Sequence, residues 1–526
     1  MNHLQRSSVS PTSLALLAIT FSSAAFAAVK PASPFTDHLV LQRDLPVPVW
    51  GTADAGEEVT VSFAEQTHKV RAGADGKWRV ELAPLKASAE GRALTFTGSA
   101  TPSPIALKDV LVGEVWLCSG QSNMDFTVAK TPKYYFAGVN NEAEEVAAAN
   151  FPEIRMFTGN TALRYEPQTE VQGTWKICNP ENVREFSAVG YFFARDLHRE
   201  LKVPVGIVTL TFGASTAQAW IRREAIAAHP QLAPLLAKFD EEVTAFRTDP
   251  EVAAKHAEAV KRFREANAQP RQPGQRAPRG PKNPDPVADQ HNPTVMFNGM
   301  IAPFVPFALR GVLWYQGESI TGPRELFPIF NEVLITDWRK LWGRELPFFF
   351  CQLAAHKAPA TEPGPSSIAA VRELQAQALK LPNTAMAVTI DIGDEKDVHP
   401  HNKQDVGARL ARIALARTYE RKVPHSGPVF ASMKVEGSKA RLKFTEAEGL
   451  TAKDGPLKHF AIAGADGKFV WADAVIEGDS VVASSPQVAE PAAVRYAWSD
   501  NPAGCNLYNA AGLPAAPFRT DQEKTP

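Results

Sequence analysis

The chain has 526 residues, of which 44% are hydrophobic and 21% are charged, and its formal net charge is -1. This length exceeds one ordinary core and predicts about two to four domains, and the composition excludes a disordered chain or a repeat fibre. Because the charge is almost balanced, the chain has no general attraction for polyanions, and we expect no nucleic-acid partner.

The N-terminus has the pattern of a secretory signal peptide. A weakly basic start precedes an apolar run from Leu14 to Phe21, and small residues follow as far as Ala27. This order predicts a cleaved signal peptide at residues 1–27 and an exported protein, periplasmic or secreted. The apolar run is too short to span a bilayer and no later run reaches about 18 uncharged apolar residues, so we expect no transmembrane segment.

Both ends of the remaining chain have the alternating apolar and polar pattern that is typical of β-sandwich strands. Residues 30–108 alternate apolar and polar side chains in runs such as "PVPVWG", "EVTVSF" and "WRVEL", which Gly, Asp and Pro interrupt. This pattern predicts an N-terminal β-rich domain. The pattern returns at residues 423–522, for example in "SKARLKF" and "AAVRYAWSD". We expect a C-terminal β-rich region there, either separate or joined to the N-terminal one, that binds glycan or braces the catalytic domain.

The region between these flanks, residues 109–422, alternates buried-strand patterns with helical ones. Its apolar runs are "VGEVWLCSG", "PEIRMFT", "VPVGIVTLTFG", "ALRGVLWYQG", "LPFFFCQLA" and "AMAVTIDIG". Helical spacing joins Val189 to Phe193 and Leu197, and Val406 to Leu410. Such alternation predicts an α/β domain whose parallel sheet has helices on both faces. Ligands bind such sheets at the carboxyl ends of the strands.

Residues 261–290 interrupt this pattern. They are rich in Pro, Arg and Lys and contain almost no large apolar side chain besides Phe263. Such a stretch buries too little surface to offset its ordering entropy, so we expect a long exposed loop. A lid that contacts the substrate is the alternative.

The cysteines are few and widely spaced, at Cys118, Cys178, Cys351 and Cys505. They match neither a dense disulfide scaffold nor a metal-binding pair of the CxxC type. We expect mostly buried thiols that behave as small apolar side chains, and the pairing of any disulfide stays open.

The first candidate catalytic motif follows the strand pattern "EVWLC". Its residues are Ser119, Gly120, Gln121, Ser122 and Asn123. Gly, Ser and Asn favour turns, so a plain turn is one interpretation. The other is a nucleophile at the end of the strand. A hydrolytic serine needs a base, a group that orients the base, and donors for the oxyanion. Ser122 would then be the nucleophile with its backbone N–H as one oxyanion donor, and Gln121 and Asn123 would contact substrate.

Two further strand patterns end in polar or small residues. Gly213 follows the run from Val205 to Phe212 and could present its backbone N–H without a side chain in the way. Gln316 could point its amide at the oxyanion, and Glu318 is a carboxylate just past the same strand end. Each of these residues would be ordinary in a loop, and their occurrence after successive strands is what favours a site.

The base is expected from "GDEKDVHPHNKQDVGARLARIAL", in which acidic residues precede His399 and His401. Histidine is the side chain best suited to move a proton near neutral pH. Asp397 is separated from His399 by one residue and can orient the imidazole if the loop bends back. His401 is the alternative base, and histidines on the surface of an acidic loop are the alternative to a site.

Taken in order, these motifs resemble the sialate O-acetylesterase-like carbohydrate esterases of the SGNH hydrolase superfamily. The similarity extends over essentially the whole chain after the signal peptide and includes the closing "RYAWSDNPAGCNLYNAAGLPAAPFRT". The resemblance implies an SGNH-hydrolase (flavodoxin-like) parallel sheet in the esterase domain. The motifs that carry it are "GQSNM" at 120–124, "GYFFARDL" at 190–197, "FNGMIAP" at 297–303, "WYQGES" at 314–319 and "DVHPHNK" at 397–403.

The resemblance also implies roles for individual residues. Ser122 is similar to the serine that forms an acetyl-enzyme, and His399 to the histidine that activates it. The backbone of Gly213 and the side chain of Gln316 resemble oxyanion-hole donors beside the backbone of Ser122. Related esterases use either an Asp near the His or a Glu from the "WYQGES" motif to orient the histidine. Asp397 is our first choice and Glu318 the alternative.

The chain departs from the family pattern at two positions. Ala214 stands where the family usually has a second glycine, which leaves open which backbone N–H faces the oxyanion. Lys396 lies three residues before His399, where superfamily members often carry Asp, and this leaves the choice between Asp397 and Glu318 open.

The implied reaction is removal of O-acetyl groups from a glycan through an acetyl-enzyme, without a metal or organic cofactor. Family members act on acetylated plant hemicellulose or on acetylated sialic acid. We expect xyloglucan or xylan oligosaccharides, with a sialate O-acetylesterase as the alternative; the oligomeric state is open. A non-catalytic carbohydrate-binding protein would explain the β-rich flanks and the ten Trp, but not the Ser, Gln and His motifs. A serine peptidase or lipase is disfavoured because no G-x-S-x-G elbow is present.

Overall fold

The structure is a computed structural model that describes residues 29–100, 103–268, 280–320 and 322–521. The predicted signal peptide at residues 1–27, residues 269–279 of the predicted loop and residue 522 of the C-terminal region lie outside these ranges. Within the described ranges, no helix is both long and apolar enough to cross a membrane.

The N-terminal part is made of β-strands whose side chains alternate between buried and exposed. In β4 and β6 every second residue is buried, as expected for strands with one face on a core. The first eight strands are β1 Lys30–Pro31, β2 Val40–Gln42, β3 Val47–Thr52, β4 Glu58–Phe63, β5 Gln66–Arg71, β6 Lys77–Leu82, β7 Ser88–Gly98 and β8 Ile105–Gly120.

The central sheet has the strand order β10-β9-β11-β8-β12-β13-β14. Its further strands are β9 Phe151–Thr158, β10 Trp175–Cys178, β11 Val205–Thr211, β12 Gly311–Tyr315, β13 Phe348–Cys351 and β14 Thr384–Ala387. All neighbours along this path are parallel except the edge pair of β10 and β9. All six predicted strands are present and pair in parallel as predicted, and the antiparallel edge strand β10 makes the sheet mixed. The short edge strand β10 carries no run of apolar residues and was missed.

β8 belongs to two parts of the molecule. Its first half pairs with β7 and β2, and its second half pairs with β11 and β12. The boundary that we drew between residues 108 and 109 therefore lies inside one continuous strand. Near the middle of β8, the buried Glu114 carboxylate accepts hydrogen bonds from Arg43 and Arg310, which ties the N-terminal strands to the sheet.

Helices cover both faces of the central sheet. On one face α3 and α9 bury Phe193 and Leu410 in the same cluster as Leu313 of β12. On the other face Trp338 of α7 packs edge-on against Trp314, with 6.0 Å between ring centroids. The helices are α1 Ser122–Asp125, α2 Glu142–Ala147, α3 Ala188–Leu201, α4 Arg223–Ala228, α5 Ala233–Thr248, α6 Pro250–Ala266, α7 Phe327–Trp342, α8 Ser367–Ala376 and α9 Lys403–Arg417. Short 3-10 turns occupy Asn182–Glu185, Ala217–Trp220, Pro286–Ala288, Ala302–Phe304, Arg324–Leu326 and Gln377–Lys380, and a π-helical turn occupies Phe297–Ile301.

α6 corrects the start of the predicted loop at residues 261–290. The helix buries no residue, so its polar sequence looked like loop, yet it continues to Ala266. Asp249 caps its first turn, and ion pairs one turn apart join Lys255 to Glu251 and Arg262 to Glu258. Such caps and pairs stabilise a helix that has no fully buried residue.

The C-terminal strands have a hydrophobic core of their own, whereas the N-terminal strands share a core with one face of the central sheet. Whether the two β-rich flanks form one domain or two stays a prediction; their buried apolar residues fall in different clusters. The strands form sheets of order β15-β16-β21-β20, β17-β23 and β19-β18-β22-β24. They are β15 Val429–Glu436, β16 Lys439–Thr445, β17 Thr451–Ala452, β18 Phe460–Ala463, β19 Val470–Trp471, β20 Asp473–Glu477, β21 Ser480–Ser484, β22 Ala493–Tyr496, β23 Leu507–Tyr508 and β24 Phe518–Arg519.

All four cysteines are buried free thiols, as the sequence predicts.

Candidate active site

Three neighbouring strands of the central sheet end at the predicted site. Ser122 follows β8, Gly213 follows β11 and Gln316 follows β12, and β8 lies between the other two strands. Gly120 at the end of β8 is in register with Thr211 on one side and Tyr315 on the other. The strands that follow β8 in the chain first lie on one side of it (β9 to β11) and then on the other (β12 to β14). Such a switch in strand order forms a crevice at the carboxyl ends of the strands.

Gly120 allows the chain to leave β8 and present Ser122. Its φ of 133° is one that other residues rarely adopt, and a Cβ there would lie 2.1 Å from the backbone oxygen of Tyr315. The next residue donates its backbone N–H to that same oxygen at 3.0 Å, and α1 begins at Ser122. The glycine in "GQSNM" is therefore a steric requirement of the turn that carries the serine.

Ser122, His399 and Asp397 form one hydrogen-bonded chain. The Ser122 Oγ atom lies 2.8 Å from His399 Nε2, and His399 Nδ1 lies 2.9 Å from Asp397 Oδ1. Asp397 Oδ1 also accepts the backbone N–H of His399 at 2.9 Å, so the loop bends the imidazole back onto the carboxylate. With Nδ1–H donating to Asp397, Nε2 is left to accept the serine proton.

The electrostatic environment favours neutral His399. Burial lowers the pKa of its imidazole below the usual 6.5, and the hydrogen bond to Asp397 partly opposes this shift. The side chain is 16% exposed, whereas that of Asp397 is 37% exposed and in contact with solvent. A neutral imidazole near pH 7 is the form that can accept a proton.

His401, the alternative base, does not face Ser122. Its Nδ1 atom contacts the backbone oxygen of Gly138, and its ring lies edge-on against Phe126 with 5.4 Å between centroids. The structure therefore assigns the contact with the serine to His399 and gives His401 a structural position.

Glu318, the alternative orienting acid, does not contact the histidine either. Its Oε1 atom accepts a hydrogen bond from the Asn123 side chain. Its Oε2 atom is shielded from solvent and has no hydrogen-bond partner among the described residues. Burial raises the pKa of this carboxyl group, and the hydrogen bond from Asn123 opposes the shift.

The sequence analysis missed Lys403, which lies directly behind the serine. Its side chain is fully buried, and Nζ donates to Asn123 Oδ1 at 2.6 Å while lying 4.5 Å from the centre of the Phe126 ring. Burial lowers the pKa of Lys403 to about 7, although the Glu318 carboxylate opposes this shift. A signal was available: Lys403 stands three residues before Val406 on the apolar face of α9, where a lysine is out of pattern.

Asn123 connects the serine to the histidine loop. Besides Glu318 and Lys403, it contacts the backbone oxygen of Val398, to which its amide donates at 3.1 Å. Val398 is the residue before His399. We call Asn123, Glu318 and Lys403 the Asn123 bridge; it holds the residue after the nucleophile and the residue before the base.

The side chains of Gln121 and Asn123, which we predicted to contact substrate, are bonded to protein groups, and their contact with substrate stays a prediction. Both side chains are buried, 2% and 0% exposed. Gln121 Oε1 accepts the backbone N–H groups of Gly317 and Ser319 at 3.4 and 3.3 Å. The residues on either side of the serine therefore bind protein groups, and only the serine itself is presented to the crevice.

Ser122 and Gly213 offer oxyanion donors. In the part of the chain that the structure describes, neither backbone N–H donates a hydrogen bond. A Cβ on Gly213 would lie 3.8 Å from the Ser122 Cβ, which brings the two backbones close together. Ala214 has a φ of 57°, a left-handed conformation that costs a non-glycine residue about 1–2 kcal/mol, which explains the family's preference for glycine there.

Gln316 is buried next to these donors, but its amide is engaged. Its Nε2 atom donates to the backbone oxygens of Ser215 at 3.3 Å and Ser319 at 2.8 Å. Its Oε1 atom has no partner among the described residues. A direct contact with the oxyanion requires the carboxamide to turn away from these carbonyls, so that role stays a prediction.

A cavity of about 340 Å³ lies next to the site, with Glu318 and Val398 in its wall. Three basic side chains also line it, namely Arg324, His356 and Lys357. Lys357 is paired with Asp500 at 2.6 Å. The cavity can therefore accommodate a polar or anionic group close to the histidine.

Comparisons with known proteins agree with this geometry. The family model described as "Carbohydrate esterase, sialic acid-specific acetylesterase" matches residues 294–416, which include His399 and Asp397. The chain is 27% identical to sialate O-acetylesterase of Rattus norvegicus, with 93% of each chain covered, and 26% identical to that of Homo sapiens, with 93% of this chain and 91% of the relative covered. It is 35% identical to a carbohydrate acetylesterase of Xanthomonas citri of known crystal structure, with a TM-score of 0.78 over 94% of this chain and 100% of the other.

Proposed function

Because this chain belongs to the sialate O-acetylesterase-like carbohydrate esterases and is a carboxylic ester hydrolase, we propose that Ser122 is its nucleophile. His399 is the general base and Asp397 the residue that orients it. The observation that carries this proposal is the pair of contacts at 2.8 and 2.9 Å that link the serine, histidine and aspartate. We further propose the SGNH-type arrangement for the α/β domain that holds them.

The first half of the reaction acetylates the serine. His399 Nε2 accepts the proton of Ser122 as Oγ attacks the acetyl carbonyl. The backbone N–H groups of Ser122 and Gly213 stabilise the oxyanion, and Gln316 joins them if its amide turns. The tetrahedral intermediate collapses, the sugar oxygen leaves, and it takes the proton that His399 holds.

The second half returns the serine. A water molecule gives a proton to His399 Nε2 and attacks the acetyl carbonyl, and the bond to Ser122 Oγ breaks as the proton passes back to it. Acetate is released and the enzyme is restored. Asp397 keeps Nδ1–H in place throughout and stabilises the imidazolium that forms. No metal or organic cofactor takes part in the proposed mechanism.

The proposed substrate is an O-acetylated plant hemicellulose oligosaccharide from xyloglucan or xylan. The 35% identity to a carbohydrate acetylesterase supports an acetylated carbohydrate as the substrate class, and the resemblance of the motifs to a family that includes hemicellulose-acting members supports this choice within it. A sialate O-acetylesterase is the second candidate, favoured by the basic side chains of Arg324 and Lys357 in the cavity beside Glu318, because sialic acid carries a carboxylate.

The test measures acetate release from acetylated xyloglucan oligosaccharides, acetylated xylan oligosaccharides and an O-acetyl sialic acid, using wild type, Ser122→Ala and Ser119→Ala. Ser119 is the matched control, because its buried hydroxyl has no hydrogen-bond partner among the described residues and its loss should be harmless. We expect wild type and Ser119→Ala to release acetate from hemicellulose and Ser122→Ala to be inactive.

Other outcomes would revise the proposal. Release from O-acetyl sialic acid only would replace the hemicellulose substrate with the second candidate. Release that persists in Ser122→Ala would exclude this serine as the nucleophile. If folded wild type released acetate from no glycan and no simple ester, a carbohydrate-binding role would remain.

We also propose export, which the N-terminal pattern of residues 1–27 supports. Expression of the full chain followed by N-terminal sequencing of the mature protein is the test. We expect the mature chain to begin at about residue 28; an intact N-terminus on protein retained in the cytoplasm would contradict export.

A further inference from the structure

One large aromatic side chain beside the catalytic residues is left in solvent. Tyr135 is 73% exposed, more than any other exposed large hydrophobic side chain of the described residues. It lies in the segment 131–139, which we call the aromatic loop because Tyr134, Tyr135 and Phe136 are consecutive in it. Isolated exposed apolar side chains are common, so the location of this one decides its meaning.

The aromatic loop packs directly against the general base. The Phe136 ring lies 4.6 Å from the His399 imidazole, centroid to centroid, at an interplanar angle of 34°. The Tyr135 ring packs edge-on against the Phe136 ring, with 5.8 Å between centroids and an interplanar angle of 89°. Tyr135 is thus two ring contacts from the imidazole that meets Ser122, and it extends from those contacts into solvent.

The backbone around Tyr135 is anchored on both sides. Before it, the Tyr134 hydroxyl donates to the buried carboxylate of Asp125 at 3.4 Å. After it, the Gly138 N–H donates to the backbone oxygen of Thr127 at 3.3 Å. The exposed ring is therefore held at a defined place, and a ligand that contacts it has little ordering cost to overcome.

A sugar ring matches this surface in chemistry and position. A pyranose presents C–H groups on its faces and hydroxyls around its edge, and it needs a flat apolar surface with polar surroundings. Tyrosine supplies such a surface with few rotatable bonds and a polar tip. The ring contacts at 5.8 and 4.6 Å place this surface near His399, and a glycan whose acetyl ester reaches Ser122 lies near the same histidine.

We propose that Tyr135, supported by Phe136, is a stacking platform for a sugar ring of the acetylated glycan. This inference rests on the proposed function and adds a binding subsite to it. The platform acts on substrates that carry a sugar and has no contact with the acetyl group itself. It therefore separates recognition of the glycan from the chemistry at Ser122.

The test compares Tyr135→Ala, Tyr135→Phe and Tyr135→Trp with wild type on two substrates. One is the acetylated glycan of the panel above that wild type hydrolyses with the highest kcat/KM. The other is ethyl acetate, which has no ring; an aryl acetate is avoided because its own ring could occupy the platform. Trp471→Ala is the matched control, since Trp471 is another exposed aromatic side chain, 38% exposed, in the C-terminal region. Thermal unfolding of each variant is recorded.

We expect Tyr135→Ala to lower kcat/KM on the glycan by roughly three- to tenfold, the range of one aromatic contact, mainly through a higher KM. Hydrolysis of ethyl acetate should be unchanged. Tyr135→Phe and Tyr135→Trp should retain activity on the glycan because the ring is kept, and Trp471→Ala should behave as wild type.

Several results would overturn the platform. One is unchanged glycan kinetics in Tyr135→Ala, and another is an equal loss on both substrates, which would mean that the loop supports His399 and does not bind sugar. A glycan defect in Trp471→Ala alone would move the subsite to the C-terminal region. Wild type that hydrolyses ethyl acetate but no glycan would also contradict it. Failure of the proposed function is distinguishable, because it appears as ethyl acetate hydrolysis that survives Ser122→Ala.

Discussion

Two acid and base pairs lie within a few residues of the serine, and they differ in their exposure to water. Asp397 and His399 lie at the mouth of the crevice, with the carboxylate 37% exposed. Glu318 and Lys403 lie behind the serine, joined through Asn123, and the lysine is fully buried. An acid or a base that lies close to the nucleophile is therefore not catalytic for that reason alone. His399 contacts the serine and Asp397 contacts solvent, whereas Lys403 and Glu318 are hydrogen-bonded to Asn123, and Glu318 also lines the cavity.

The largest expected effect concerns Ser122 and His399. Ser122→Ala and His399→Ala should each lower kcat on ethyl acetate by roughly 10⁴- to 10⁶-fold, and the double variant should lose little more, since the two groups act as one unit. Steady-state kinetics with thermal unfolding as a check on the fold provides the measurement. Additive losses in the double variant would mean that the two residues act independently.

Variants of Asp397 and Glu318 provide the most direct test of which carboxylate orients His399. Asp397→Asn removes the acceptor that fixes the imidazole tautomer and should lower kcat by roughly 10³- to 10⁴-fold. Glu318→Gln keeps the size of the side chain and should lower kcat by less than about tenfold, because Glu318 does not contact His399. Both variants are assayed on the same ester. A larger loss for Glu318→Gln would reverse the assignment of the orienting acid.

The buried lysine should affect stability as well as activity. Lys403→Met leaves Asn123 Oδ1 without its donor, and we expect a loss of about 1–3 kcal/mol in the free energy of unfolding and a fall in kcat of roughly 10- to 100-fold. Since the pKa of Lys403 is about 7 in the folded chain and 10.5 normally, the unfolded chain binds the extra proton between these values. Wild type should therefore gain stability relative to Lys403→Met as the pH rises through that window.

Chemical denaturation at a series of pH values measures this difference. Its slope with pH should vanish below about pH 7, where both states of wild type carry the proton. A stability difference that does not change with pH between 7 and 10 would contradict a lysine whose pKa is lowered by burial. The variant Lys403→Arg is the control that keeps a cation at the same position.

The smallest expected effect is a shift of the acid limb of the pH–activity profile to lower pH. Because burial lowers the pKa of His399, activity should be retained below pH 6.5 and be lost only as the pH falls through the lowered value. The hydrogen bond that His399 donates to Asp397 raises that pKa, so the acid limb of Asp397→Asn should lie at a still lower pH. The measurement is kcat/KM against pH on ethyl acetate; a limb above pH 6.5 would contradict the burial effect.

The sequence predicts the elements well wherever one pattern dominates. The six buried strands and the helical spacing of Val189 and Val406 are all found in the structure, because a buried strand and an amphipathic helix each need a repeated local pattern. The pattern failed for β10, which is a short edge strand, and for the end of α6, whose last six residues KRFREA contain one large apolar side chain.

The candidate site divides in the same way. The motifs at Ser122, Gly213 and Gln316 indicate strand ends with suitable side chains. The sequence did not show that the side chains of Gln121 and Asn123 are buried, and it did not identify Lys403. A residue name indicates what a side chain can do. Whether it faces a crevice or the protein interior depends on packing by other segments.

The sequence by itself determined the alternation of strands and helices, the glycine-led turn before Ser122 and the presence of a histidine loop with acids beside it. The tertiary structure brings His399 to Ser122 and His401 to Gly138, brings Asp397 to the imidazole and Glu318 to Asn123, and forms the Asn123 bridge. The reason is physical: secondary structure and side-chain chemistry follow from neighbouring residues, whereas the contact of Ser122 with His399 joins positions 277 residues apart. Such a contact exists only when the whole sheet and its helices bring the two loops together.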